Sequence, residues 1–242
     1  MSNPLLKADA FRASVEGVEN AGSSEVMTLP GTINKSIILW TFLVVSAFYS
    51  WINPNITVPL FFLILIGALG LAFFSLFKKT LTPYLTPLYA ICEGFILGIF
   101  SLHFERSCPG IVVNSVLLTI CVLFCMLVLY KYGILKATSR FKKIVIISTL
   151  AIFLVYIADL ILNVFGLGNF PYIHNSSTLS VIISFVIVAI ASLNLIIDFD
   201  LIEDAVNYDA PKYMEWYCAF CLMITLIWLY IEVLRSLSKL KD

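Results

Sequence analysis

The chain has 242 residues, of which 61% are hydrophobic and only 12% charged, and its mean hydropathy is +1.00. Soluble domains are about half apolar and about a quarter charged, so the composition excludes an ordinary soluble globule. Fifteen basic and fifteen acidic residues leave a formal net charge of zero, which gives a nucleic acid no electrostatic footprint.

Residues 1–32 form a polar tail with both signs of charge. It is expected to lie in the cytoplasm and to be largely mobile. It has no apolar core beside a small-residue cleavage site, so the first membrane helix is expected to act as the insertion signal. Thr32 or Asn34 is placed to cap that helix. About 20 apolar residues span a bilayer core, and seven stretches qualify: about 36–51, 58–77, 83–104, 111–130, 144–165, 179–200 and 214–237. The fold class is therefore an all-α integral membrane protein, with residues 33–242 as one seven-helix domain. Barrel strands would be about half as long and would alternate in polarity.

Orientation follows Lys and Arg in the short loops. With the N-terminus inside, inner segments hold Lys7, Arg12, Lys35, Lys78, Lys79, Lys131, Lys136, Arg140, Lys142, Lys143 and Lys212. Outer segments hold only Arg106, Arg235, Lys239 and Lys241. The N-terminus is expected to be cytoplasmic. The basic C-terminal end keeps open a re-entrant last segment, with both termini inside.

Carboxylates inside membrane helices are costly and are candidate functional sites by default. The third segment carries Glu93, followed by Gly94 and Gly98, whose spacing lets another backbone approach closely. The fifth carries Tyr156, Asp159 and Asn163 on one face. The sixth carries Asn194 and Asp198 on one face, with Asp200 rotated away. Glu203, Asp204 and Asp209 are expected in the following loop, solvated. The seventh begins near Glu215 and shows a stripe of Cys218, Cys221, Thr225, Trp228 and Glu232, as on one seam of a packed helix. Arg235 is placed to pair with Glu232.

Chemistry beyond this is sparse. The six cysteines include a C-x-x-C pair, Cys218 and Cys221, in an apolar setting where cysteine acts as a small hydrophobe. His174 in the 5–6 loop has no second ligand at metal spacing. No H-E-x-x-H, G-x-S-x-G or P-loop is present. Neither an enzyme nor a metal or cofactor site is expected. A proton-coupled transporter is disfavoured, because no inverted repeat or paired broken helix is visible.

Four stretches carry a family resemblance: MTLPGTINK at 27–35, PLYAICEGFILG at 87–98, ASLNLIIDFD at 191–200 and APKYMEWY at 210–217, continuing to Leu234 and Arg235. They resemble the bacterial, YccA/YetJ-like branch of the Bax inhibitor-1 family, the transmembrane Bax-inhibitor-motif proteins. The resemblance implies six helices around a central seventh, in a bacterial inner membrane. It also implies either a pH-sensitive calcium leak channel or a non-conducting protein linked to suppression of cell death or to restraint of a membrane protease or other membrane partner. In channel-type members, aspartates on helices 6 and 7 share a pH-dependent contact. Asp198 matches the first, in a D-x-Q-x-I pattern that here reads Asp198, Asp200 and Ile202. The place of the second falls on Thr225, which cannot titrate in this range. Asp200, Glu93 or Glu232 could stand in for it. The expected sensor set is Asp198, Asp200 and Glu93, with Asn194, Asp159, Thr225 and Glu232 lining the polar interior. Calcium is the expected permeant ion, and the lipid bilayer and a membrane protease are the expected partners. Oligomeric state is left open.

Overall fold

The computed structural model describes residues 26–166 and 177–241. The N-terminal tail before Val26 and the 5–6 loop with His174 lie outside the described residues.

Seven long helices account for the expected spans: α1 (Leu29–Ile52), α2 (Phe61–Phe77), α3 (Thr82–Ser107), α4 (Ile111–Lys131), α5 (Ser139–Val164), α6 (Thr178–Asn207) and α7 (Met214–Lys241). The 28-residue α7 is unbroken and is long and apolar enough to cross a bilayer core.

Several helix ends lie outside the apolar runs, and each extension has a local cause. Helix α1 starts at Leu29, not near residue 36. Its cap is Thr28, in place of the expected Thr32 or Asn34: the Thr28 hydroxyl accepts the Gly31 N–H at 3.1 Å, and Pro30 sits in the first turn, where its missing N–H costs nothing. Thr32 is instead buried inside the helix, donating its hydroxyl to the Thr28 carbonyl at 3.0 Å. At the other end Asn53 and Pro54 stop the helix as expected. Helix α5 starts at Ser139 behind a Thr138 cap. Helix α6 runs on to Asn207, so Glu203 and Asp204 are helical rather than in the loop. Leu201, Ile202 and Ala205 bury the opposite face of that extension. Only Asp209 lies beyond, in the left-handed conformation (φ 49°) common just after a helix end.

The described residues divide between two compact units. The first takes in those of Met1–His103 and Asp200–Met223, the second Phe104–Phe199 and Ile224–Asp242. In the first unit α1 and α3 touch backbone to backbone. A Cβ on Gly94 would meet the Ser46 hydroxyl and the Leu43 carbonyl, and one on Gly98 would meet the Ala47 carbonyl. This is the close approach that small residues permit. The Ser50 hydroxyl donates across the gap to the Phe95 carbonyl at 2.9 Å, and Tyr49 meets the Phe95 ring edge-on. Met27, Leu201, Ile202, Ala205, Ala210, Met214, Tyr217 and Cys218 form a buried cluster in the same unit. In the second unit Glu105 closes the start of α4, its carboxylate accepting the N–H groups of Gly110 (2.6 Å) and Val112 (3.1 Å).

Helix α7 is the most buried of the seven, as expected of a central helix. In its apolar stretch 72% of residues are buried, against 6% in α5. No residue from Tyr213 to Lys239 is exposed. Along the stripe Cys218 and Glu232 are buried and Cys221, Thr225 and Trp228 half-buried.

Candidate functional site: buried carboxylates on helices 6 and 7

Three carboxylates on α6 and α7 are buried, and each has a different answer to the cost of leaving water.

Asp198 lies about two-thirds of the way along α6, between Ile197 and Phe199, and is 9% exposed. A carboxylate at a helix centre in a bilayer costs about 2.5–3.5 kcal/mol on insertion scales, so a partner is demanded. The Thr225 hydroxyl of α7 supplies one hydrogen bond. The other carboxylate oxygen, Oδ2, is buried with no hydrogen-bond partner among the described residues. Asn194, one turn earlier, turns to α5: its amide donates to the Thr149 hydroxyl and to the Ile190 carbonyl, each at 2.9 Å. Asn194 therefore braces α6 against α5. Asp198 and Thr225 are thus brought together across α6 and α7.

Glu232, near the end of α7, is 2% exposed and well supplied. Its Oε1 accepts the Tyr156 hydroxyl of α5 at 2.8 Å and the Trp228 indole N–H at 3.2 Å, and it pairs with Arg235 at 3.5 Å. Arg235 also stacks over the Tyr156 ring, 5.1 Å from its centre. The expected Glu232–Arg235 pair is present, with Tyr156 as an added member. Asp159 shares the Tyr156 face of α5 and is half-buried, while Asn163 is exposed. Nearby, the Lys239 ammonium rests on the hydroxyls of Ser180 (2.9 Å) and Ser184 (2.8 Å) of α6.

Glu215, in the first turn of α7, is 1% exposed and was not among the expected site residues. Its Oε1 accepts both the Thr28 N–H and the Thr28 hydroxyl at 3.0 Å, and its Oε2 lies 3.3 Å from Lys35 Nζ. Lys35 also approaches the Trp216 ring, 5.9 Å from its centre. The backbone reinforces the contact: the Met27 N–H donates to the Ala210 carbonyl at 2.7 Å, and Val26 forms an antiparallel bridge with Pro211.

The remaining expected residues fall in the first unit. Glu93 is half-buried on α3 and accepts a hydrogen bond from Tyr89, a residue that packs edge-on against Phe220 of α7. Asp200 is half-buried on α6. None of the six cysteines, Cys218 and Cys221 included, is in a disulfide. No group of three or more His, Cys, Asp or Glu side chains able to hold a metal occurs among the described residues.

Fold and site together define a multi-pass, all-helical membrane protein with carboxylates buried on its last two helices. The family described as "Bax inhibitor 1 like" matches residues 3–242. The chain therefore belongs to the Bax inhibitor-1-like family. No curated protein and no solved structure matches it.

Proposed function

We propose that this protein is a pH-sensitive calcium leak pathway whose closed state is set by buried carboxylates, with Asp198 as the sensor. The observation that carries the reading is Asp198 itself: buried within an apolar helix, held by one hydroxyl from α7, with its second oxygen unpartnered among the described residues. The protonation of such a group depends on its burial and on neighbouring charge. A change of protonation alters its bond to Thr225 and so biases the packing of α6 on α7 between two arrangements. Carboxylate oxygens also suit a hard cation such as calcium. Asp200 and Glu93 are further candidate sensors. Asn194, Asp159, Thr225 and Glu232 are candidate polar lining. The protein resides in a bacterial inner membrane with its N-terminus in the cytoplasm. It is not an enzyme and needs no cofactor.

The test is calcium entry into liposomes carrying the purified protein, at about pH 6 and about pH 8. Flux that differs between the two supports the reading. Absence of flux at both, from folded protein, rejects it.

One observation favours a second reading. By the family resemblance Thr225 falls at the place of the second aspartate, which would leave the two-carboxylate gate without its usual second member. The alternative is a non-conducting protein that restrains a membrane protease through its tail or its 4–5 loop. Removal of residues 1–25, which leaves the contacts of Val26, Met27 and Thr28 in place, would abolish a tail-mediated effect and spare a pore.

A further inference from the structure

The start of α1 is a capping box with its fourth residue missing. In the usual motif a Ser or Thr cap bonds the N–H three residues on, and a Glu or Gln at that third position reaches back to the N–H of the cap. Here Thr28 makes the first bond, to Gly31. Gly31 has no side chain to make the second. The returning carboxylate comes from Glu215, far along the chain in α7, and accepts the Thr28 N–H at 3.0 Å. The absent side chain is what makes room: a Cβ on Gly31 would collide with the Glu215 carboxylate.

The Thr28 hydroxyl links the two helices directly. It accepts from Gly31 and donates to Glu215 Oε1 at 3.0 Å, so one hydroxyl serves both the α1 cap and the α7 carboxylate. Lys35, in the second turn of α1, neutralises the other carboxylate oxygen at 3.3 Å. Ahead of the cap, Val26 and Met27 pair with Pro211 and Ala210, the residues that lead into α7. The Met27 side chain is buried in the same cluster as Met214, Tyr217 and Cys218. Every element that holds the chain entering α1 is also an element that holds the first turns of α7.

We propose that this shared cap is a releasable latch, through which the segment Val26, Met27 and Thr28 controls the freedom of the first turns of α7. While Glu215 is seated, α7 is pinned at its start. An event that draws the chain before α1 away from Ala210 and Pro211 strips Glu215 of its two Thr28 donors. A buried carboxylate that loses its donors carries a large penalty, so the first turn of α7 must then move to bring it to water. The coupling is reciprocal, because one interaction free energy is shared by both ends. The latch does not depend on ion conduction. It applies equally to a leak pathway and to a non-conducting partner protein.

The test is amide hydrogen exchange of the full chain in lipid nanodiscs, read by mass spectrometry at residues 27–35 and 215–220. Glu215→Gln keeps the shape of the side chain and weakens its acceptor, and Thr28→Val removes the shared hydroxyl at an exposed position. The latch predicts that each variant raises exchange at both ends. The rise is about tenfold for Glu215→Gln, the scale of a lost charge-assisted hydrogen bond. It also predicts that the double variant raises exchange by less than the product of the two single rises, since both variants cut the same unit. Lys35→Met, at a partly exposed ion pair, gives a smaller rise at the same two places. If Glu215→Gln does not fold, Thr28→Val and Lys35→Met carry the test alone. Faster exchange confined to residues 27–35 in Thr28→Val, with 215–220 unchanged, overturns the latch and leaves an ordinary helix cap.

Discussion

Gly98→Ala reverses the usual sign of a helical glycine-to-alanine change. Inside a helix, alanine is favoured over glycine by about 1 kcal/mol. At Gly98 the added methyl carbon would meet the Ala47 carbonyl of α1, with Ser50 Cβ at 2.8 Å and the Ala47 carbonyl carbon at 3.1 Å. The nearest atom belongs to backbone, so no rotamer change relieves the overlap. Gly94 holds the same two helices one turn away, against the Leu43 carbonyl, so α1 cannot simply tilt aside. Overpacking of this kind costs about 1–3 kcal/mol. The rigid obstacle places Gly98→Ala at the upper end, and after the propensity gain about 2 kcal/mol of destabilisation remains. At about 2–4 °C per kcal/mol for a chain of this size, Tm should fall by about 4–8 °C. The assay is thermal unfolding in detergent followed by tryptophan fluorescence. Gly67→Ala and Gly70→Ala are the controls. Both glycines are in α2 with nothing within 4 Å of an added Cβ, and both variants should hold or raise Tm. A Gly98→Ala protein that matches the controls would refute the close backbone contact between α1 and α3.

Three further outcomes follow from the buried carboxylates. Tyr156→Phe removes the shortest hydrogen bond to Glu232, and a loss of about 1–3 kcal/mol should appear as a Tm lowered by several degrees; an unchanged Tm would mean that the bond contributes nothing. Asn194→Leu breaks the brace from α6 to Thr149, and hydrogen exchange in α5 around Thr149 should quicken while that of α1 does not. Thr225→Asp sets a second carboxyl beside Asp198, and two adjacent carboxyl groups share their protons rather than ionise independently. The pH dependence of calcium flux should steepen, and an unchanged slope would place Asp198 outside the gate.

The seven helices were legible because a bilayer demands apolar runs of a fixed length, and every run in the chain meets that demand. Their ends were less so, since caps are polar and stand apart from the runs. Thr28 lies eight residues ahead of the first apolar stretch. The end of α6 looked like an acidic loop, because Glu203 and Asp204 mask the buried face made by Leu201, Ile202 and Ala205. At the site, Asp198, Glu93 and Glu232 announce themselves as charges in apolar sequence. The spacing of Gly94 and Gly98 correctly signalled a close helix contact. Glu215 gave no such signal: it sits at a helix start, where acids are common, and its partner Thr28 is 187 residues away. A trace existed in TLPG, a Thr cap with glycine where the returning Glu would stand. Which residue filled that gap needed the fold. Tyr156 and Glu232 were each noticed, but periodicity orders residues within one helix and cannot pair two.

The most direct test of the central claim is calcium flux through Asp198→Asn in liposomes, beside wild type, at about pH 6 and about pH 8. Asparagine keeps the size of the side chain and an oxygen for Thr225, and it cannot ionise. The account predicts that wild-type flux differs between the two pH values and that the variant's flux is the same at both. An Asp198→Asn protein whose flux keeps the wild-type pH dependence would contradict it.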